Sequence, residues 1–464
     1  MAVVTEADVE EKIEPEALIE KPKGLFGRMK QGITKNVFLL GIVAFFTDVS
    51  SEMIVPIRII FLVAILRTPL PIAGLIEGVA ESTASLLKIV SGRIADRPSK
   101  RPPLVLAGYV MSNGVKPLLA FVTGWPAALG LIFVDRVGKG VRGAPRDAML
   151  ADATPKEYMG KAFGFHRSMD TFGAAVGPLL TYMILLITHG NLQAVFAWTG
   201  VPGALGILAM LFVMRAQKEK RQKGTAAEEA AHVVEVAKAK AAEAKLVVPR
   251  IKASELGVRF WMFTAISTIF AIGNSSDSFI FLRTADLDSS VTVVPLLYFA
   301  YNMVYAILAT PLGSLSDRWG RIPVMMVGYA SFAFVYFGFA VATQVWQTWA
   351  LFLIYGIYAA ATDGVSKAFV ADMIPKPVRG TAMGWFNGMV GFSALPANLL
   401  GGWLWSVAGA PSTFIFGAWM SLFALFLAIA WMPWLRKKDE AQDRLAALGS
   451  APAPAIPSAA VPAQ

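Results

Sequence analysis

The stretch Gly313-Ser-Leu-Ser-Asp-Arg-Trp-Gly-Arg321 has an earlier counterpart in the same chain, Gly92-Arg-Ile-Ala-Asp-Arg97. Each stretch follows a long apolar run, and each is followed by a Gly-Tyr pair in the next apolar run. Two further polar signatures repeat in the same order at nearly constant spacing: Ser50-Ser-Glu52 with Ser275-Ser-Asp277, and Ala151-Asp152 with Ala371-Asp372. Chance similarity between apolar segments would not recreate three polar signatures in order. The sequence therefore predicts two related halves.

The composition around these signatures is that of a membrane protein. Of the 464 residues, 56% are hydrophobic and 16% are charged, whereas soluble domains carry about 25% charged residues. The mean hydropathy is +0.57. Apolar runs of about 20 residues are typical of membrane-spanning helices. We predict an all-α membrane protein with two pseudo-symmetric six-helix bundles and twelve spans, numbered 1 to 12 from here on: 37–65, 70–93, 103–123, 126–151, 160–188, 192–214, 259–284, 291–314, 323–343, 347–373, 380–407 and 411–434.

The net charge of +10 does not indicate nucleic-acid binding, because the cations cluster in connections on one side of the predicted bundle. These clusters lie at residues 21–35, 93–101, 215–223, 238–250, 318–321 and 436–438, whereas the opposite connections are short and nearly uncharged. Cytoplasmic loops carry such an excess of Lys and Arg. We therefore expect a multi-pass protein of the bacterial inner membrane with both termini in the cytoplasm. Residues 1–20 lack the pattern of a secretory signal, and the absence of cysteine excludes disulfide and thiol chemistry.

The two bundles are predicted to be separate domains joined by polar segments. Residues 215–258 are rich in Ala, Glu and Lys, which is typical of a partly helical linker. The end of the chain is rich in Ala, Pro and Ser, which is typical of disorder. The predicted organisation is a cytoplasmic segment at 1–36, bundles at 37–214 and 259–434, a cytoplasmic linker at 215–258 and a disordered cytoplasmic tail at 435–464.

The repeated loop stretch resembles the segment between helices 2 and 3 of the major facilitator superfamily, whose pattern is roughly G-x-L-x-D-R-x-G-R-K. The second copy is close to it, whereas the first has Pro98 and Ser99 in place of an apolar residue and a glycine. Together with stretches in spans 1, 2 and 4, it resembles a poorly characterised bacterial permease group of that superfamily. The resemblance implies a carrier with its substrate site between the halves. It also implies a cytoplasmic latch formed by Gly92, Asp96, Arg97, Gly313, Asp317 and Arg318; the alternative is a loop that only sets topology.

Span 4 is unusually charged. Its segment Phe133-Val-Asp-Arg-Val-Gly-Lys-Gly-Val-Arg142 resembles the family's second motif, whose arginine is linked to proton transfer in family members. Charges inside a membrane normally line a cavity or pair with one another. We expect an anion-binding role for cations of this region: Arg136, Lys139 and Arg142, with Arg58 in span 1 and its counterpart Arg283 in span 7. The alternative is that Asp135, Asp147 and the span 2 glutamates neutralise all of them.

A glycine motif stands in span 5. The segment Gly173-Ala-Ala-Val-Gly-Pro178 resembles the family's antiporter motif, although its continuation differs. Small residues four apart also permit close helix packing without any transport role. The motif therefore favours export over uptake only modestly.

Carboxylates in spans 1 and 2 are the predicted proton-coupling groups: Asp48, Glu52, Glu77 and Glu81. A carboxyl in a low-dielectric cavity can load and release a proton near neutral pH. Asp48 and Glu52 lie one turn apart on one helix face, and Pro56 should bend the helix just beyond them. The alternative is a fixed network in which Glu81 pairs with Lys88 or Arg167, and Asp170 pairs with His166 or Lys88.

Further polar residues inside the spans complete the predicted substrate site: His166, Asp170, Asp277, Tyr301, Asn302 and Asn387. A lone histidine among arginines is a poor cation site, so neither a metal nor another cofactor is predicted. No nucleotide-binding P-loop or hydrolase motif occurs.

The sequence thus favours a secondary carrier over an enzyme or a receptor. Its expected partners are the lipid bilayer, a small-molecule substrate and a proton, without nucleic acid, and the expected state is a monomer. Proton-coupled export of a small polar or anionic solute is the main expectation. A lipid, amphiphile or drug exporter and a proton-coupled importer are the alternatives.

Overall fold

Helices make up nearly all of the structure, because a helix satisfies its own backbone hydrogen bonds and so suits long apolar segments in a membrane. The computed structural model describes residues 33–95, 101–154, 158–223, 256–275, 277–287, 291–374 and 379–449. In the first half the helices are Lys35–Glu52, Arg58–Ile60 with the π turn Phe61–Ile65, Leu70–Ala95, Arg101–Val115 with the 3₁₀ turn Pro117–Phe121, Trp125–Asp152, Met159–Ile187, Leu192–Trp198 and Gly200–Lys223. In the second half they are Gly257–Gly273, Asp277–Leu287, Val293–Trp319, Arg321–Val341, Val345–Met373, Arg379–Ala408 and Ala410–Gly449.

These helices follow one another in the order of the twelve predicted spans, and the predicted fold class is confirmed. Nine helical segments of the described residues are long and apolar enough to cross a membrane. The other three spans differ in composition or continuity: span 1 is interrupted, span 4 carries many charges, and glycine, asparagine and tryptophan lower the hydropathy of span 11. With twelve spans, the first helix begins and the last helix ends on one face, which we call the proximal face. The opposite face is called distal.

Spans 1 and 7 are each broken at the repeated Ser-Ser-acid signature. In span 1 the first helix ends at Glu52 and a short helix resumes at Arg58. Pro56 explains this break, because its ring would clash with the carbonyl of Glu52 four residues earlier. In span 7 the break precedes the acid, and the second helix begins at Asp277. The same signature therefore ends a helix in one half and starts a helix in the other.

Spans 2 and 11 form a close contact between the halves through a line of glycines, which we call the glycine seam: Gly74, Gly78, Gly391 and Gly402. A Cβ built on Gly74 would lie 2.1 Å from the Asn398 carbonyl oxygen, and one built on Gly402 would lie 2.3 Å from the Leu70 carbonyl oxygen. Ser82 Oγ also donates a 3.1 Å hydrogen bond to the Gly391 carbonyl. Spans 5 and 8 pack together as well, and the short helix Arg58–Ile60 packs on Asp277–Leu287.

Span 12 continues beyond its predicted end. Its helix reaches Gly449, so residues 435–449 are helical where a disordered tail was predicted. The segment is rich in Ala, Leu, Lys and Arg, all of which favour the helix, and this local preference extends the span. The predicted segment 1–32, most of the linker at 224–255 and the tail at 450–464 lie outside the described residues. The domain boundaries therefore stay a prediction.

Candidate functional site

The two span 1 carboxylates are held against the glycine motif of span 5. A Cβ built on Gly173 would lie 3.2 Å from the Cβ of Asp48, and one built on Gly177 would lie 2.9 Å from the Cβ of Glu52. Thr181 Oγ1 donates a 2.8 Å hydrogen bond to the carbonyl of Met53, directly after the helix ends. The glycine motif thus permits close packing of spans 1 and 5, which was its alternative interpretation. This packing fixes the positions of both carboxylates.

Glu52 joins the two halves. Its Oε2 accepts a 2.8 Å hydrogen bond from the hydroxyl of Tyr298 at the distal end of span 8. Tyr298 stacks on Tyr301 with ring centroids 5.8 Å apart, and Tyr301 lies 5.2 Å from Tyr355. The hydroxyl of Tyr355 in turn donates a 2.6 Å hydrogen bond to Asp277 Oδ1. Three tyrosines in contact therefore connect Glu52 at the span 1 break with Asp277 at the span 7 break.

Arg58 and Glu77 form a buried ion pair within the first half. Arg58 Nε donates to Glu77 Oε1 at 2.7 Å, and Arg58 Nη2 donates to Glu77 Oε2. The exposed fractions are 6% for Arg58 and 0% for Glu77. A predicted substrate cation and a predicted proton carrier are therefore joined in one bidentate pair. Glu81, one turn further along span 2, is half-buried and also has an interaction partner.

The span 4 cations differ in their partners. Arg136 Nε lies 3.1 Å from Asp135 Oδ2, so this cation is compensated by its neighbour. Among the described residues, neither Lys139 nor Arg142 has a carboxylate oxygen within ion-pair distance. Arg142 is 4% exposed, and its guanidinium lies 4.4 Å from the ring centroid of Tyr109, while Nη1 makes no hydrogen bond. Of these three span 4 cations, Arg136 is therefore paired, whereas Lys139 and Arg142 have no acidic partner among the described residues.

Asp48 lies among charged groups of spans 4 and 5. Its electrostatic neighbours include Lys139, Arg142 and Asp170, one from span 5 and two from span 4. Asp170 Oδ2 lies 3.5 Å from His166 Nδ1, whereas Asp170 Oδ1 and His166 Nε2 are buried without hydrogen bonds. Within the described part of the chain, no group of three or more His, Cys, Asp and Glu side chains is arranged to hold a metal.

Lys116 is a buried lysine that was not among the predicted site residues. It is 2% exposed in span 3, and its Nζ donates to Ser51 Oγ at 2.7 Å and to Asn113 Oδ1 at 2.9 Å. Ser51 stands in the last turn of the first span 1 helix. Lys116 therefore ties span 3 to the end of the first span 1 helix, just before Glu52. A lysine in an apolar run was the available signal.

In the second half, Arg283 does not repeat the role of its counterpart. Arg283 Nη2 donates to the Ala342 carbonyl at 2.8 Å, and Nε donates to the Phe339 carbonyl at 3.3 Å. It therefore caps the distal end of span 9, whereas Arg58 pairs with a carboxylate. Asn302 Nδ2 donates to the Tyr298 carbonyl at 2.9 Å within its own helix.

A cavity of about 780 Å³ lies among spans 7, 9, 10 and 11, with Ser85 of span 2 at its edge. It extends from the span 7 break toward the proximal ends of spans 10 and 11, where Asp363, Lys367 and Asn387 line it. Asn387 was predicted as a site residue and lies in this wall. Tyr301 and Asn302 are not among the cavity-lining residues.

The predicted latch is only partly described. Asp96 and Arg97 lie outside the described residues, and Gly92 lies in the last turns of the span 2 helix. A Cβ built on Gly313 would meet nothing within 4 Å, so this glycine does not permit a close helix approach in this conformation. Asp317 Oδ1 pairs with Arg321 Nη1 of its own half at 2.6 Å, and Arg318 is exposed.

Two ion pairs at the proximal ends follow the internal repeat. Arg321 Nε lies 2.9 Å from Asp372 Oδ2, which joins spans 9 and 10. Arg101 and Asp152 form the equivalent pair between spans 3 and 4. The repeated Ala-Asp signature thus has the same local partner in both halves.

Comparison with known proteins agrees with this architecture. The family model described as Major Facilitator Superfamily matches residues 40–284 and 279–462. An uncharacterised MFS-type transporter of Methanocaldococcus jannaschii is 32% identical over 403 residues, which cover 86% of this chain and 95% of that protein. A class H tetracycline resistance protein of Pasteurella multocida is 29% identical over 139 residues, or 30% of this chain and 34% of that protein. The crystal structure of the nucleoside transporter NupG matches with a TM-score of 0.65 at 14% identity, over 86% of this chain and 99% of that one.

Proposed function

Because the chain belongs to the major facilitator superfamily, we propose that it is a proton-coupled secondary transporter that exports a small polar or anionic solute by alternating access. It works in the bacterial inner membrane with its proximal face toward the cytoplasm. It acts as a carrier rather than as an enzyme.

The observation that carries the anion assignment is the pair of cations in span 4 without a described acidic partner. A buried cation that lacks a partner is costly, and a bound carboxylate or phosphate would remove that cost. Arginine suits such groups because its planar fork can bind two oxygens at once. Arg142 and Lys139 fit this role better than Arg58, whose fork is already occupied by Glu77.

Proton coupling is supported by the carboxylates of the same half. Among the described residues, no cation lies within ion-pair distance of the Asp48 carboxylate. Lys139 and Arg142 are nevertheless close enough to interact with it electrostatically. An anion that binds these cations competes with Asp48 for them. Binding of the anion and protonation of Asp48 are therefore coupled through one shared set of charges.

A drug exporter is the second candidate. The partial similarity to tetracycline resistance proteins and the aromatic cavity of the second half favour it. The two candidates differ in substrate charge, because a drug exporter of this kind would not require Arg142 for substrates that lack an anionic group.

The experiment uses proteoliposomes that contain the full chain and a pH-sensitive dye inside. Organic anions and uncharged analogues of the same size are added, and solute-driven proton movement is recorded. Anions should give a signal that Arg142→Gln abolishes and Arg142→Lys restores in part. Lys35→Gln removes an exposed cation at the proximal face and should leave the signal unchanged.

Proton movement driven equally by the uncharged analogues, and unaffected by Arg142→Gln, would contradict the anion assignment. Orientation has its own test in intact cells. Single cysteines at the exposed distal positions Thr123 and Thr343 should react with a membrane-impermeant maleimide, whereas labelling only after lysis would reverse the assigned topology.

A further inference from the structure

The cavity of the second half is too large for an inorganic anion. Its volume is about 780 Å³, and pockets of about 300–1,000 Å³ are typical of sites for organic small molecules. A phosphate or a short carboxylate at the span 4 cations would leave this space unfilled. An organic substrate with a sizeable second end would fill it.

The cavity offers hydrogen bonds from uncharged groups. Asn274 Nδ2 donates to the hydroxyl oxygen of Tyr358 at 2.8 Å. This bond leaves the hydroxyl hydrogen of Tyr358 and the amide oxygen of Asn274 available for a ligand. Asn387 in span 11 is exposed to the same space and adds a second amide.

Its walls are aromatic and its charges balance. Phe270 stacks on Tyr329 with ring centroids 4.4 Å apart, and Phe270 lies 5.7 Å from the ring of Tyr358. Asp363 and Lys367 are the charged residues of the lining and stand one turn apart on span 10 with opposite signs. Aromatic faces favour stacking with a planar ring, and a balanced lining does not favour a second net charge.

We infer that this cavity binds a planar ring that carries a hydrogen-bonding group, so that the transported solute is an aromatic or heterocyclic organic anion. This inference rests on the proposed function, because it assigns the anionic group to the span 4 cations. The ring packs against the wall that Phe270, Tyr329 and Tyr358 form, and its polar substituent meets the free hydrogen of Tyr358.

Three probes separate the parts of this assignment: 6-hydroxy-2-naphthoate, 2-naphthoate without the hydroxyl, and 2-naphthol without the charge. Affinities are measured by isothermal titration calorimetry on the purified full chain. The hydroxynaphthoate should bind about 5-fold more tightly than the naphthoate, since one hydrogen bond contributes on this order. Tyr358→Phe should remove that ratio without changing the affinity for 2-naphthoate.

Tyr336→Phe is the matched control. Its hydroxyl donates to the Ser275 carbonyl at 3.1 Å and does not line the cavity, so the ratio should persist. An unchanged ratio in Tyr358→Phe, or no binding of either naphthoate, would overturn the cavity assignment. If 2-naphthol binds as tightly as 2-naphthoate and Arg142→Gln affects neither, while the hydroxyl ratio depends on Tyr358, the anion proposal fails and the cavity assignment stands.

Discussion

Tyr298→Phe should shift the transporter toward a conformation that is open on the distal side. The substitution deletes one hydroxyl and keeps the ring that stacks on Tyr301. The lost 2.8 Å hydrogen bond to Glu52 joins the two halves, and it must break when they separate on the distal side. A side-chain hydrogen bond of this kind contributes about 1–3 kcal/mol, so the open-to-closed ratio should rise about 5- to 100-fold.

The chain has no cysteine, so spin labels can be placed at Thr123→Cys and Thr343→Cys in an otherwise unmodified protein. These exposed positions lie in distal connections of the two halves. Double electron–electron resonance should show a longer distance population in Tyr298→Phe than in the parent. Tyr336→Phe removes a hydroxyl whose bond stays within one half and should leave the distances as they are. Identical distance distributions in Tyr298→Phe and the parent would refute the gating role.

Three further predictions follow from the packing of the described residues. Arg58→Gln or Glu77→Gln should each cost about 3–5 kcal/mol of unfolding free energy because each leaves a buried charge unpaired, and the double substitution should cost less than the sum; additive losses in thermal unfolding would contradict the pairing. Gly177→Ala should lower the unfolding free energy by about 1–3 kcal/mol and abolish pH-driven transport. Gly364→Ala should be tolerated, because nothing lies within 4 Å of the added Cβ; equal transport by both variants would count against the packing argument. Asp317→Asn should change stability by less than about 1 kcal/mol, since its ion pair is exposed, and should slow turnover without weakening binding; a large loss of affinity would argue against a latch.

The order and kind of the helices could be predicted because apolar length and repeated polar signatures are properties of the chain itself. Pro56 also gave the position of the span 1 break, since its effect on a helix is local. The continuation of span 12 to Gly449 was missed because the weight was given to the Ala, Pro and Ser residues at the end of the chain. Local helix preference before them was strong enough to extend the span.

The pairing of charges could not be predicted to the same extent, because it depends on how each span is rotated about its axis. The same arginine of the repeat pairs with Glu77 in one half and caps carbonyls in the other, as Arg58 and Arg283 show. The contact between His166 and Asp170 was accessible because both stand on one helix, one turn apart. The Glu52–Tyr298 bond joins distant parts of the chain and required the structure.

The glycine seam between spans 2 and 11 has a mechanical consequence. Interlocked side chains must change rotamer whenever one helix slides past another, and each change adds a barrier. At Gly74 and Gly402 the opposing surface is main chain, so there are few protrusions to unlock. The two halves therefore meet here at a smooth surface of main-chain atoms. Spans 2 and 11 can slide along each other with a low barrier while they stay in contact.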